Sequence, residues 1–350
     1  MNTATLGDMN DDTSDTSDTS DNRDNRGHGG NRGHSGKTDR NEYDVVVVGG
    51  GAAGLSAALV LSRARRSVAV VDAGAPRNSP AAHMQGFLSR DGMPPRDLLA
   101  AGRDEVRGYG GHLIAGTVAA VVQATGSGFR VLLADGPQLN ARRLLVATGL
   151  RDQLPDIPGV RERWGRDFLH CPYCHGYEVR DQQLGVLGGT PDAVQHAQLV
   201  RQWSSDVAFF PHTGTLTAQD REQLVARGIG IVEGIVTRLV VDDDQLRGIE
   251  LDNDTVVTRT AVFIRPRLIP NTDLLAGVGC AVDDKGWVEL DAAGRTSVPG
   301  VWVAGNAANP RAQVITAAGE GSAVAIALNA DLVEEDIQQA VRAFRGRTTT

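Results

Sequence analysis

The hydrophobic pattern becomes regular at Tyr43. Asp44 is followed by four valines at residues 45–48, a β-branched run as long as one buried strand. Gly49-Gly50-Gly51-Ala52-Ala53-Gly54 comes next, and residues 55–62 have the period of a helix. Residues 68–71 predict a second strand, which stops at Asp72. Helical spacing returns over residues 94–108. Short apolar runs at 117–123, 129–133 and 143–146 predict an antiparallel insertion. Further buried strands are predicted at 184–187 and 207–210. Strands alternating with helices place the chain in the α/β class.

The first strand–glycine–helix–strand unit carries a dinucleotide fingerprint in its proper context. Gly49 suits the tight turn, Gly51 lets backbone approach a pyrophosphate, and Gly54 permits close helix–strand packing, with Ala53 between them. The helix start favours phosphate charge, and Asp72 can bind ribose hydroxyls. The uncharged run 45–62 is as long as a membrane helix, but its glycine cluster and the acid-terminated strand after it argue against that reading.

Composition narrows the rest. Before residue 41 there is no apolar run to bury, only Asp-Thr-Ser repeats and Asn, Arg, Gly and His in low-complexity order, so residues 1–40 are expected to be a disordered tail without a signal peptide's apolar core. The remaining length suggests two domains. A net charge of −8 argues against a nucleic-acid surface or membrane attraction. Three cysteines in 350 residues make no disulfide framework, which favours a cytoplasmic setting.

Two of those cysteines form the chemical centre, His170-Cys171-Pro172-Tyr173-Cys174-His175-Gly176. Two intervening residues let the sulfurs exchange between dithiol and disulfide. Proline stiffens the turn, and a flanking imidazole can move the proton that thiolate chemistry requires. Cys-x-x-Cys-His is also the haem c attachment pattern, but no secretion signal accompanies it. A zinc site would need further ligands, and only the isolated Cys280 remains, so no metal is expected. A glutaredoxin would carry Cys-Pro-Tyr-Cys after its first strand, not at mid-chain. His175 is the favoured base; His170 is an alternative, though a turn or surface position suits it better. Cys280 is expected to be inert.

From Tyr43 to the C-terminal helix the chain resembles the low-molecular-weight thioredoxin reductases. Cys171-Pro172-Tyr173-Cys174-His175-Gly176-Tyr177-Glu178 is most similar to the branch of dithiol oxidases acting on gliotoxin- and holomycin-type compounds. The resemblance implies two Rossmann-like three-layer domains in a homodimer. FAD would lie in a discontinuous domain, residues 41–152 and 268–350, and residues 153–267 would form an NAD(P)-domain-like insertion carrying the redox pair. Cofactor contacts carried over to this sequence are Gly49, Gly51, Ala53, Gly54, Asp72, Arg77, Asn78, Gln85, Gly86, Thr148, Gly149, Gly305, Asn306, Gln313 and Val314. Asn306 stands where the family has Asp, and Ala312 where it has Arg. The helix following Thr316 would aim its amino-terminal end at the flavin. By the same analogy Cys174 faces the flavin and Cys171 meets the substrate.

Two departures set the expected direction of electron flow. Gly188-Gly189-Thr190-Pro191-Asp192-Ala193 replaces the GxGxxA turn of a nicotinamide site, and residues 211–215 lack arginines for a 2′-phosphate. NADPH use is therefore doubtful, and the second fold is expected to survive as a scaffold. Where reductases have Asp after the second cysteine, His175 can accept protons from an incoming dithiol. The expected activity is FAD-dependent dithiol oxidation, with a small dithiol or disulfide or a thioredoxin-like protein as partner. An NADPH-dependent thioredoxin-disulfide reductase and a redox sensor are the alternatives.

Overall fold

The computed structural model describes residues 41–124 and 127–348; the expected tail, residues 1–40, lies outside them. The first strand, Glu42–Val48, pairs in parallel with Val68–Asp72 on one edge and Gln138–Val146 on the other. Strand side chains alternate between faces, so Val46 and Val48 enter one core while Val45 and Val47 enter another. Residues 45–47 are fully buried, as an uninterrupted valine run requires.

This sheet has seven strands, ordered His112–Ala115, Val68–Asp72, Glu42–Val48, Gln138–Val146, Phe129–Leu133 and Val118–Gln123, with Val301–Val303 also on Gln138–Val146. The runs expected as an antiparallel insertion are continuous with it. Gln138–Val146 begins antiparallel to Phe129–Leu133 and ends parallel to Val301–Val303. Helix Ala52–Arg63 and the 35-residue helix Val314–Thr348 share a core with one face of the sheet. They approach so closely that a Cβ on Gly321 would lie 2.8 Å from the Ala53 carbonyl carbon. Arg142 and Arg143 tie the far part of the long helix to the sheet through Asp331, Glu335 and Asp336.

A second sheet is wholly parallel, in the order Gly230–Ile231, Val207–Phe210, Leu184–Leu187, Ala261–Ile264, Phe168–Leu169. Helices Ala193–Val200 and Ala218–Ala226 lie on one side of it. The second of these starts with a reciprocal cap, the Asp220 amide donating to Thr217 Oγ1 at 3.1 Å and the Thr217 amide to the Asp220 carboxylate at 3.0 Å. On the other side sits a three-stranded antiparallel sheet, Val236–Asp242, Gln245–Leu251 and Val256–Thr258. Its hairpin turn is fastened by buried Arg163, which pairs with both Asp167 and Asp244. The fold is α/β with two Rossmann-like layered units, as the sequence leads one to expect.

The chain leaves the first sheet along Leu150–Gln153 and returns along Arg267–Pro270, the two segments pairing antiparallel. Thr148 and Asn271 lock this crossing: Thr148 Oγ1 donates to the Asn271 carbonyl at 2.7 Å, and Asn271 Nδ2 to the Thr148 carbonyl at 2.9 Å.

Candidate active site

The strand Phe168–Leu169 delivers the redox segment to the edge of the second sheet, and a single helical turn, Pro172–His175, follows. Cys171 is its N-cap, with proline in the first position, where a missing N–H costs nothing. The Cys174 and His175 amides both donate to the Cys171 carbonyl at 3.1 Å. That turn brings the two Cα atoms to 5.2 Å, and Cys171 and Cys174 are joined as a disulfide. On the outside Tyr173 is 63 % exposed and stands edge-on to Trp203 at 5.5 Å.

His175 is partly buried, and its pKa is held below the usual imidazole range by desolvation, opposed by the nearby Glu178 carboxylate. A neutral ring at pH 7 can take a proton from a thiol. His175 and Glu178 line a cleft of about 680 Å³, whose other walls include Gln85, Arg96 and Arg166. Gln85 Nε2 donates to Glu178 Oε1 at 3.1 Å, so a flavin-side loop holds the segment following the cysteines.

His170 lies at the bend between the strand and the redox turn and is half-buried. Its Nδ1 lies 3.4 Å from an Arg77 amine, and its ring centroid is 6.3 Å from that of His196. Burial, followed by the positive charge of Arg77, pushes its pKa down to about 4. His196 is 5 % exposed, is likewise lowered to about 4 by burial, and has no hydrogen-bond partner at Nε2.

Most of the cofactor candidates converge on one end of the seven-stranded sheet. Gly49 has φ +106°, and a Cβ there would strike the Ala147 backbone, so the turn requires glycine. Gly54 abuts the Gly49 carbonyl, whereas a Cβ on Gly51 would meet nothing within 4 Å. Space is therefore open at the start of the twelve-residue helix, where four free amides favour phosphate. Asp72 closes the second strand, pressed on Gly50 and paired with Arg103 at 3.2 Å. Gly305, at φ +71°, packs on Ala53 and donates its amide to Glu320 at 3.2 Å. Gly86 faces Gln313 Oε1, Val314 begins the long helix, and Gly149 is open, beside the Thr148–Asn271 lock. These residues fit a flavin dinucleotide: the open space at Gly51 would take the pyrophosphate, Gly49 and Gly54 shape the turn behind it, and Asp72 would stand at a ribose.

Three candidates are engaged otherwise. The Arg77 guanidinium lies at the redox segment, its Nε and Nη2 edge donating to the two Asp152 carboxylate oxygens at 2.8 and 2.7 Å. Asn78 belongs to the same turn, where its carbonyl accepts from the Ala81 amide. Asn306 spends its Nδ2 on the carbonyls of Asn309 and Ala312, at 2.9 and 3.0 Å, leaving Oδ1 to accept from a hydroxyl.

The corresponding turn of the second sheet packs closely on the loop after the next strand. A Cβ on Gly189 would stand 2.7 Å from Thr213 Oγ1, and one on Gly214 would lie 3.0 Å from the Gly189 nitrogen. Asp192 caps helix Ala193–Val200 in a left-handed conformation, and Arg265 pairs with its carboxylate at 3.4 Å. Pro191 offers no N–H, and an acid sits where phosphate charge would come. His212 is committed to the Val236 amide at 3.0 Å. This segment offers no arginine to a 2′-phosphate and one fewer backbone N–H to a pyrophosphate.

Sequence reading missed His196, Trp203, Arg103 and Glu320, which reach the site through contacts distant in sequence. Among the described residues no group of three or more His, Cys, Asp or Glu side chains could hold a metal, and no helix is long and apolar enough to cross a membrane. Cys280 is buried, its sulfur 3.4 Å from Thr296 Oγ1, and burial raises its pKa.

Comparison with known proteins agrees with this geometry. The crystal structure of HlmI superposes with a TM-score of 0.85 at 58 % identity, covering 88 % of this chain and 97 % of that one. A thioredoxin reductase TrxB structure from Bacillus anthracis gives 0.81 at 31 %, covering 84 % and 99 %. The thioredoxin reductase sirT of Leptosphaeria maculans is 30 % identical over 84 % of this chain and 96 % of its own. The model of the pyridine nucleotide-disulphide oxidoreductases matches residues 43–321, and the chain belongs to that family of redox enzymes.

Proposed function

We propose that the chain is an FAD-dependent dithiol oxidase. The observation that carries this reading is the pairing of a disulfide-forming turn with His175, in a chain that has Thr190, Pro191 and Asp192 in place of the usual nicotinamide turn. A substrate dithiol gives one proton to His175, and its thiolate attacks Cys171 of the disulfide, releasing Cys174 as a thiolate. The second substrate thiol gives its proton to Cys174, and its sulfur displaces Cys171, which takes the proton held by His175; the substrate disulfide closes and both enzyme sulfurs are left reduced. FAD held at the Gly51 turn and Asp72 would supply the two-electron acceptor for the enzyme dithiol, with oxygen as the final oxidant. Cys174 is assigned to the flavin side. The division into residues 41–152 with 268–350, and 153–267, belongs to this reading, as do a homodimer and a cytoplasmic location.

Anaerobic titration decides between this activity and thioredoxin-disulfide reduction by NADPH. A small vicinal dithiol is expected to bleach the flavin band far faster than NADPH at millimolar concentration. Loss of one bidentate Arg–phosphate contact alone is worth about ten- to a hundred-fold in affinity. Rapid, saturable bleaching by micromolar NADPH overturns the oxidase reading. A flavin that responds to neither reductant favours a redox sensor.

A further inference from the structure

Arg77 comes from the loop after the second strand, in the flavin-side part of the chain, yet it does not point at the phosphate cradle. One edge of its guanidinium, Nε and Nη2, binds both carboxylate oxygens of Asp152, whose side chain is only 6 % exposed. The remaining reach of Arg77 is toward His170 Nδ1, at 3.4 Å. His170 is the residue bonded directly to Cys171. A carboxylate, a guanidinium and an imidazole thus form a line from the chain crossing at Leu150–Gln153 to the redox turn. With Nδ1 accepting from Arg77, the neutral ring carries its proton on Nε2. Asp152 fixes the arginine as a rigid two-pronged support, a geometry that a lone arginine would not hold.

We propose that Arg77 and Asp152 are positioning residues of the redox step, acting through His170 to hold Cys171 in place. The inference rests on the reading that Cys171 and Cys174 exchange electrons with substrate and flavin. His170 takes no part in bond making. Its ring keeps the peptide before Cys171 in one orientation, and it does so while neutral. The charged and titratable groups facing it are Arg77, Asp152, Arg265, His175 and His196. Arg77, Arg265 and His175 oppose its protonation, and Asp152 favours it.

That opposition tests whether the pair acts on His170, and the split between rate and KM tests whether it acts on the redox step. Arg77→Gln and Asp152→Asn break the same contact but remove opposite charges from His170. Nuclear magnetic resonance of histidine-labelled holoprotein, with the His170 signal assigned by its loss in His170→Asn, follows the titration without any turnover. In Arg77→Gln the midpoint of His170 is expected to rise from about 4, and in Asp152→Asn it is expected to stay there or fall. Both variants are expected to keep their FAD, and to slow dithiol reduction of the flavin at pH 7 about fivefold or more while the dithiol KM changes less than about twofold. Arg77→Lys, which keeps the cation, is expected to hold the midpoint near the wild-type value even if the rate drops.

Three outcomes overturn the proposal: midpoints that move together or not at all, loss of FAD from Arg77→Gln, or variant rates equal to wild type. A wild-type flavin that no dithiol reduces sinks the functional reading instead. The paired histidine titrations then still decide whether Arg77 and Asp152 govern His170.

Discussion

A Cβ on Gly176 would stand 2.8 Å from the indole of Trp203, so the residue two places beyond Cys174 is the floor on which that ring rests. The Gly176 amide also closes the redox turn, donating to the Pro172 carbonyl at 2.7 Å. Gly176→Ala is expected to cost roughly 1–3 kcal/mol through overpacking and to slow dithiol reduction. FAD content should not change, because the clash lies on the outer side of the redox segment. Thermal unfolding and flavin absorbance of the purified variant check both halves, and unchanged stability would show that Trp203 simply swings away.

The glycines of the fingerprint should separate in the same kind of assay. Gly54 meets the Gly49 carbonyl, whereas Gly51 faces open space. Gly54→Ala is therefore expected to destabilise the fold with or without flavin. Gly51→Val should leave the apoprotein's unfolding midpoint nearly unchanged and weaken FAD binding at least about tenfold, by placing a side chain where a pyrophosphate belongs. Equal FAD affinities in wild type and Gly51→Val would place the cofactor elsewhere.

The two cysteines should differ in their optical signatures. With Cys174 on the flavin side, Cys171→Ser leaves a thiolate there and is expected to show a long-wavelength charge-transfer band, lost on acidification. Cys174→Ser should show none. The reverse pattern in absorbance spectra would exchange the two roles.

Histidine burial gives the pH dependence a definite sign. His170 and His196 have folded-state values of about 4, below the unfolded imidazole value of about 6.5. Folding with neutral rings is favoured above pH 6.5, and that advantage is lost as pH falls from 6.5 toward 4, where the unfolded chain binds protons first. The drop is expected to be on the order of 3 kcal/mol for His196, the more buried ring, and His196→Asn should flatten it. Urea unfolding at pH 7 and pH 4.5 measures it. Stability independent of pH across that window would contradict the burial of both rings.

For His175 the lowered pKa means that the proton acceptor is already neutral at pH 7. The acid limb of the dithiol rate should fall below pH 6.5, and His175→Ala should slow the step about a hundredfold at pH 7 while abolishing that limb. Stopped-flow bleaching of the flavin against pH would show it, and an unchanged limb in His175→Ala would assign the proton transfer to another group.

What could be read in the sequence follows from the range of each constraint. Gly49, Gly51, Gly54 and Asp72 are fixed by turns and packing within some thirty residues, and the redox turn is fixed within four, so both are visible as spacing. The Arg77–Asp152 pair carries no local signal, because the two residues are 75 apart and only the fold brings them together. His196 carries no local signal, since one histidine on an amphipathic helix looks like any other polar position. The sheet containing Val236–Asp242 and Gln245–Leu251 was legible in principle, as alternating apolar residues around Asp243-Asp244, both at positive φ. The extent of the C-terminal helix was hidden by its charged outer half, which is held by Arg66, Arg142 and Arg143 from elsewhere in the chain.

Asn306 is a clip for its loop as well as an acceptor. Its two Nδ2 donations hold the Asn309–Ala312 loop, and a carboxylate has no proton to offer either carbonyl at neutral pH. Asn306→Asp would add an anion at the cost of two anchors. It should therefore be tolerated in a background that supplies new donors and poorly tolerated in this one.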